Sequence, residues 1–392
     1  MTAAALLCAA VLRVASGAAD LTYDLGLNTE GRLRTVAATG IGVEHVDELE
    51  LDPSAKVTAA GPTLDLSLAY LPIVTLSTLP GEGLVALHHL SAVSHWQAGP
   101  IWRTTLTADA SHGTVSLFEF PQPIGVPGAP PPPSLTVPAV PTVETEDLRG
   151  GVALTGAPAR RLQIDASILA VAGGGATALA RTFVPFQRTL VTAASVAWDA
   201  ERTDRLTSKL TATASTFSTG QEAAVAILSE TWRRVLTAEL TLTLGAGGAA
   251  ADQRATGPAH QQALPTGEAG IDLLTNPGGL PLHANLDFTA APIIDPIFGA
   301  VGEQLGGGAI FSLGAAGGWR VEATGSGGFL VTGVEKGGSV WSGLLRVVHP
   351  LGGALDVALG VRGIYERQPL FASRIYDWNA FVQVAARDHG RL

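Results

Sequence analysis

The chain has 392 residues, a formal net charge of −10 at pH 7, 46% hydrophobic residues and 15% charged residues. The negative balance argues against nucleic acid or an anionic lipid surface as the main partner. Beyond the N-terminal segment, no stretch has the roughly 20 uninterrupted apolar residues of a membrane helix. If the chain spans a membrane, it must therefore do so as a closed β-barrel.

The first 19 residues, MTAAALLCAAVLRVASGAA, have the apolar centre and the small terminal residues of a secretory signal peptide. We expect cleavage after Ala19. The only cysteine, Cys8, lies in this segment, so the mature chain offers no disulfide, thiolate nucleophile or thiolate metal ligand. Residues 20–392 are then expected to form a single domain.

After residue 19, apolar and polar residues alternate over long stretches. In residues 84–113, His89 and Ser91 share one parity, and Leu90 and Trp96 share the other. A period of two predicts β-strands with one polar and one apolar face. Eighteen strands are predicted, with sixteen as the alternative. In chain order they cover residues 20–37, 47–60, 62–77, 83–98, 102–116, 143–156, 159–172, 187–200, 204–217, 221–234, 236–249, 266–274, 281–291, 301–316, 318–332, 338–349, 353–366 and 375–388.

The lengths of the strands and connections favour a membrane barrel over a soluble β-sandwich. The predicted strands commonly have 12–16 residues, whereas globular strands average about five or six. With the N-terminus in the periplasm, the three long connections, at 117–142, 173–186 and 250–265, all follow odd-numbered strands. Short turns on one side and long loops on the other are typical of outer-membrane barrels. We therefore predict an all-β, antiparallel transmembrane β-barrel.

The tryptophans support this layout, because all seven fall near predicted strand ends, at the height of the aromatic girdles of a membrane barrel. They are Trp96, Trp102, Trp198, Trp232 and Trp319 on the periplasmic side, and Trp341 and Trp378 on the outer side.

The connection at 117–142 is rich in proline, which favours extended polyproline geometry and excludes a strand of the hydrogen-bonded ladder. Two interpretations remain open for this outer loop. It either folds into the barrel mouth and constricts it, or it is a mobile surface loop.

With this pattern the chain resembles the porin-like outer-membrane β-barrel proteins of Gram-negative bacteria over nearly all of its length after residue 19. Its amino-acid composition, which is rich in Ala, Gly and Arg, is similar to that of myxobacterial barrels that accompany exopolysaccharide export. The resemblance implies a location in the outer membrane, contact with outer-membrane lipid and insertion by the barrel-assembly machinery.

The polar parity is expected to line the lumen of the barrel. Both signs of charge occur on it, which fits weakly selective passage of polar solutes. The candidate lumen-lining residues are His89, Ser91, His95, Arg103, Asp109, Arg205, Lys209, Glu239, Asp356, Arg362 and Glu366.

Catalysis and metal binding are not predicted. Pairing strands 83–98 and 102–116 about Pro100 puts Ser91 opposite Asp109 and His89 opposite Ser111, but nothing supplies an oxyanion hole. His89 and His95 are about 20 Å apart along a strand, too far to share a metal ion. No cofactor is expected.

Two functions remain open. The first is a channel or conduit for hydrophilic solutes or a polymer such as a polysaccharide. The second is a non-conducting scaffold for an envelope assembly, for example one that exports polysaccharide.

Overall fold

The computed structural model describes residues 20–38, 42–78, 83–116, 142–254, 260–295, 299–333, 336–368 and 373–391. The predicted signal peptide, residues 1–19, lies outside them. The described residues form antiparallel strands, which we number in chain order. They are β1 (Asp20–Ala38), β2 (Gly42–Ala60), β3 (Leu64–Tyr70 and Ile73–Ser77), β4 (Leu84–Ala98), β5 (Trp102–Ser116), β6 (Thr142–Ala159), β7 (Leu162–Gly175), β8 (Gln187–Asp199), β9 (Asp204–Phe217), β10 (Glu222–Val235), β11 (Leu240–Arg254), β12 (His260–Thr275), β13 (Leu282–Ile294), β14 (Val301–Gly314), β15 (Arg320–Leu330), β16 (Ser339–Gly352), β17 (Leu355–Gln368) and β18 (Ser373–Arg391).

Every strand pairs with its neighbours in sequence, and β1 also pairs with β18, from Thr22 opposite Arg391 to Ala38 opposite Ile375. This pairing closes an eighteen-stranded barrel, which confirms the predicted fold class. Strand β3 is interrupted at Leu71 and Pro72, but both of its segments lie between β2 and β4. The interruption has a local cause, because proline has no amide hydrogen to give to the ladder.

The connections separate by length, as predicted for most of the chain. One end of the barrel carries short turns, and we call it the short-turn end. At the other end, which we call the loop end, strands are joined across residues 117–141, outside the described residues, and across 176–186. The structure therefore does not describe the predicted proline-rich loop.

The predicted long connection at 250–265 is wrong. Strand β11 continues to Arg254 and β12 begins at His260, with ladder pairs from Ala249 opposite Leu264 to Gln253 opposite His260. These strand ends are rich in alanine, glycine and glutamine and lack apolar alternation, so the period-two signal is lost where the ladder continues. Only residues 255–259 lie between the two strands.

The outward face of the barrel is apolar. Leu33, Leu210 and Leu359 point outward and are 67%, 51% and 56% exposed. All seven tryptophans lie on the same outward parity, five toward the short-turn end and two toward the loop end. Among the described residues, no helix is long and apolar enough to span a membrane.

Several tryptophan rings lie flat against glycines of the neighbouring strand. A β-carbon built on Gly156 would lie 2.1 Å from Trp102 Cε3, and one built on Gly327 would lie 2.1 Å from Trp341 Cε3. The rings cover backbone that glycine leaves bare, an arrangement that helps to fix strand register.

Near its end, β10 does not alternate cleanly, because Glu230, Trp232 and Arg234 share one parity. The charged groups beside Trp232 explain this departure. The indole Nε1 donates to Asp204 Oδ1 at 2.9 Å, and the Arg234 guanidinium lies 5.9 Å from the ring centroid. An indole with an apolar ring and a hydrogen-bonded N–H suits the boundary between lipid and water. Asp204 and Arg234, although they have the outward parity, therefore have a polar or aromatic partner in Trp232.

Candidate functional site

The inner wall of the barrel is the candidate site, because the outward parity is apolar and the alternate parity carries most of the charged and polar side chains. The structure places most of the sequence-predicted lumen residues on this inward parity. They are His89, Ser91, His95, Arg103, Asp109, Arg205, Lys209, Asp356, Arg362 and Glu366.

Glu239 is the exception, because it lies in the turn that precedes β11. The sequence predicted a strand from residue 236, whereas β11 begins at Leu240. The Thr237 hydroxyl accepts hydrogen bonds from the amides of Glu239 and Leu240, at 3.2 and 3.0 Å, and closes the turn. This local bond competes with the ladder.

The predicted register of β4 and β5 is confirmed, with Ser91 opposite Asp109 and His89 opposite Ser111. His89 Nε2 lies 3.6 Å from Asp109 Oδ1, which is longer than a hydrogen bond. His89 and Ser91 are two residues apart on one strand, and no contact between them provides the nucleophile–base pair of a hydrolase. We interpret His89, Ser91 and Asp109 as polar residues of the inner wall rather than as a catalytic site.

Other inward residues form short-range pairs. His95 Nδ1 and Thr105 Oγ1 are 3.0 Å apart, and Arg205 Nη2 donates to Gln163 Oε1 at 2.6 Å. Among the described residues there is no group of three or more histidine, cysteine, aspartate or glutamate side chains placed to hold a metal ion.

Most of the deeply buried charges among the described residues lie where the barrel closes, and the sequence analysis missed most of them. We call this set the seam cluster. It comprises the buried residues Glu30, Arg32 and Arg34 on β1, Glu48 on β2 and Asp377 on β18, together with the half-buried Glu50 on β2.

Arg34 is the centre of the seam cluster and is only 1% exposed. Its Nε donates to both carboxylate oxygens of Asp377, at 3.0 and 3.1 Å, and its Nη2 donates to Asp377 Oδ2 at 2.8 Å. Its Nη1 donates to Glu48 Oε1 at 2.8 Å. One guanidinium therefore links the last strand to the second strand across the first.

Further ion pairs extend the seam cluster along the wall. Arg32 Nε lies 2.8 Å from Glu48 Oε2, and Arg32 also contacts Glu50. On the other side of the seam, Arg362 Nη2 donates to Glu30 Oε1 at 2.6 Å. Paired, hydrogen-bonded ions are the form in which buried charge is tolerated.

A polar chamber of about 730 Å³ lies inside the barrel toward the short-turn end, on the wall next to the seam cluster. Acidic, basic and neutral polar side chains contribute to its lining. They include Asp24, Asp52, Lys56, His95, Arg346 and Asp356.

The connection 176–186 folds against the inner wall at the loop end. Within it, residues Ala180–Phe183 form one helical turn, and Ala180 packs with Leu87, Val115 and Val143. A β-carbon on Gly175 would lie 2.4 Å from the Ala180 carbonyl carbon, so the turn fits only because residue 175 is glycine. The sequence predicted a long connection here but no helix and no inward fold.

The start of β14 also packs on the inner wall at the loop end. Val301 packs in an apolar cluster with residues of β10, β11 and β12, and its amide donates to Gln253 Oε1 at 2.7 Å. Gly299, with φ of 59°, approaches the side chains of Phe217 and Gln221. The connection 176–186, together with Gly299 and the start of β14, therefore covers parts of the wall at the loop end.

Comparison with known proteins finds the same architecture in solved structures. The chain is similar to OpdK of Pseudomonas aeruginosa, an outer membrane protein solved with vanillate, at a TM-score of 0.50 and 11% identity over 95% of this chain and 99% of that chain. The chain therefore shares the closed β-barrel fold of this outer membrane protein. OccK2 (OpdF) of Pseudomonas aeruginosa, solved with glucuronate, gives a TM-score of 0.48 at 11% identity, covering 93% of this chain and 98% of that chain.

OccAB3 of Acinetobacter baumannii gives a TM-score of 0.45 at 8% identity, with 94% of this chain and 99% of that chain covered. No protein-family model and no curated protein sequence matches this chain. The comparison gives no support to the polysaccharide-export alternative. In outer-membrane barrels the short turns face the periplasm and the long loops face outward.

Proposed function

We propose that this outer-membrane barrel is a passive channel for small hydrophilic solutes, formed after removal of its signal peptide. The observation that carries the proposal is the inner wall. It presents charged and polar side chains along the strands and leaves a polar chamber of about 730 Å³ on the periplasmic side. Barrels of 16–18 strands are wide enough to leave an aqueous path.

The charges of the chamber favour a mixed selectivity. Carboxylates such as Asp24 and Asp356 and cationic groups such as Lys56 and Arg346 line the same chamber. Selectivity in a pore depends on its radius and on the charges that line it. A wall with both signs passes small polar solutes of either charge and gives only a modest preference.

The proposal places a narrow part of the path at the loop end, where 176–186 packs on the wall through Ala180. Ala180 makes apolar contacts with Leu87 and Val143 of the wall. These contacts hold the connection against the wall without a bound ligand. The proposal therefore predicts a pore whose conductance is limited by this connection.

The experiment is single-channel recording of the purified protein in planar bilayers. Wild type should conduct in steady steps, and a variant with residues 178–184 replaced by two glycines should conduct more. A scaffold would show no conductance in either form, and that result would discard the channel.

A point variant guards against misfolding of the shortened protein. Gly175→Val places a side chain against the backbone of Ala180 and should displace the helical turn, giving larger or noisier steps. Gly150→Val is the matched control, since a β-carbon there meets nothing within 4 Å. The control should conduct like wild type.

A further inference from the structure

The ladder between β2 and β3 is interrupted near the middle of β2. Its pairs stop at Leu51 opposite Val74 and resume at Ala55 opposite Tyr70. The register is the same on both sides of the interruption, so residues 52–54 face residues 71–73 without a bulge. Four residues of a strand rise by about 13 Å. Over that length, within the part of the chain that the structure describes, no ladder pair joins the two strands.

Two prolines that face each other cause the interruption. The amide of Thr78 donates to the Asp47 carbonyl oxygen at 3.1 Å, so odd residues of β2 and even residues of β3 are the ones that exchange hydrogen bonds. In this register Pro53 and Pro72 face each other at such a position, where antiparallel partners normally exchange two N–H···O bonds. Neither proline has an amide hydrogen, so both bonds are lost.

A gap of this kind is costly in a membrane, because hydrocarbon offers no partner to backbone carbonyl groups. Proline is otherwise confined to the edges and bulges of sheets. On the β1 side, Pro53 is opposite Leu27, which is 47% exposed on the apolar outward face. The gap therefore lies in the apolar wall rather than in a turn at its rim, and such departures concentrate at functional sites.

The gap lies between the polar chamber and the outward face of the barrel. On the inner side, Asp52, Ser54 and Leu71 all line the chamber. On the outward side, Tyr70 Oη and His88 Nδ1 are 2.7 Å apart, and their rings are stacked. Because Tyr70 is the last residue of β3 before the interruption, this pair of side chains stands beside the outward mouth of the gap.

Strand β2 is held firmly on its other side. It pairs with β1 without interruption, from Asp20 opposite Ala60 to Ala38 opposite Gly42, and the seam cluster joins the same two strands. Movement of β2 away from β1 would break a continuous ladder. Separation of β2 from β3 at the gap breaks no ladder hydrogen bond, so the wall opens most easily there.

We propose that the gap between Pro53 and Pro72 is a side portal, through which small single-chain amphiphiles pass between the chamber and the hydrocarbon of the membrane. The Asp52 carboxylate at its inner side accepts a hydrogen bond from the neutral amide of Asn28 through Oδ2, at 3.0 Å. Its other oxygen, Oδ1, is buried and has no hydrogen-bond partner among the described residues. A buried acceptor without a donor is costly. The head group that this site favours is therefore a cationic donor such as a primary amine, with its apolar chain between the strands.

The portal rests on the proposed channel in one respect, because its solutes reach the chamber through the lumen. The two proposals fail separately, since the channel requires water in the chamber and the portal requires contact between the chamber and hydrocarbon. A measurement that reports water and hydrocarbon independently distinguishes them.

The test uses spin labels in lipid vesicles. Because Cys8 is the only cysteine of the chain, the protein without the predicted signal peptide can carry a single label, at Leu71→Cys or at the control Val93→Cys. Val93 also lines the chamber, but it lies where the ladder is unbroken. Each labelled protein is compared with a form that also carries P53A/P72A, which supplies both missing N–H groups. Electron paramagnetic resonance measures collisions with oxygen, which concentrates in hydrocarbon, and with a neutral nickel chelate, which stays in water.

The label at residue 71 should meet both the chelate and oxygen. P53A/P72A should lower its oxygen contact to that of the label at residue 93 and leave its chelate contact unchanged. The label at residue 93 should meet the chelate in both forms, with the same low oxygen contact. Decylamine should exclude the chelate from residue 71 only when the two prolines are present, and decanoate should not exclude it.

Equal oxygen contact at residue 71 with and without the two prolines would overturn the portal. Equal exclusion of the chelate by decylamine in both forms would also overturn it, and equal exclusion by decanoate would overturn the choice of a cationic ligand. A label at residue 93 that does not meet the chelate would contradict the channel, and the oxygen contact at residue 71 would still decide the portal.

Discussion

Replacement of Arg34 with methionine should destabilise the folded barrel by about 3–5 kcal/mol, the usual cost of removing one partner from a buried ion pair. Asp377 loses the three hydrogen bonds that it accepts from this guanidinium, and Glu48 loses one. Urea unfolding in lipid vesicles, followed by tryptophan fluorescence, measures the change. Because Arg34 joins β1, β2 and β18, we also expect closure of the seam to be slower in this variant.

The matched control is Arg103→Met. Arg103 also points inward, but it is exposed and lies opposite the neutral residues Gln97 and Thr155. Its replacement should change the free energy of unfolding by no more than about 0.5 kcal/mol. Equal losses for the two variants would show that the seam cluster has no special role in stability.

Replacement of Leu210 with arginine should cost about 2–4 kcal/mol of folding free energy, because a guanidinium near the bilayer midplane is exposed to hydrocarbon. Leu210 lies in the middle of β9, and its neighbours in the register, Leu228 and Ala194, are on the same outward face. Leu359→Arg should behave in the same way. The readout is the fraction of protein that folds into vesicles, together with the urea midpoint.

Thr211→Arg is the control on the adjacent residue. Its side chain has the inward parity, so a charge there meets the lumen rather than lipid, and folding should be little affected. Equal tolerance of arginine at residues 210 and 211 would contradict the assignment of the two faces of the barrel. Arg362 is a poor control for this purpose, since the structure pairs it with Glu30.

Much of the fold is predictable because lipid imposes one rule on every strand. Each strand must turn an apolar face outward and satisfy its backbone through its neighbours, so alternation, strand number and the β4–β5 register all follow from local sequence. The prediction was wrong where that rule ends. Beyond the bilayer, the ends of β11 and β12 need no apolar face, and the ladder there leaves no periodic signal.

The candidate site was predicted less completely, because its contacts join distant parts of the chain. Glu30, Arg32 and Arg34 share one parity on β1, and this period-two row of charges was the available signal. Their importance depends on Asp377, 343 residues beyond Arg34, which becomes a neighbour only when the barrel closes. The helical turn at Ala180–Phe183 was missed for a similar reason, since Gly175 reveals its role only through the backbone that it touches.

The central claim is that hydrophilic solutes cross the membrane through this barrel, and liposome swelling measures that passage directly. Liposomes that contain the wild-type protein are placed in isosmotic solutions of sugars and amino acids of increasing size. The account predicts swelling with the smallest solutes of either charge, a steady decline in rate as the solute grows, and no swelling with a large dextran. Liposomes that hold folded protein and do not swell in any of these solutions would contradict it.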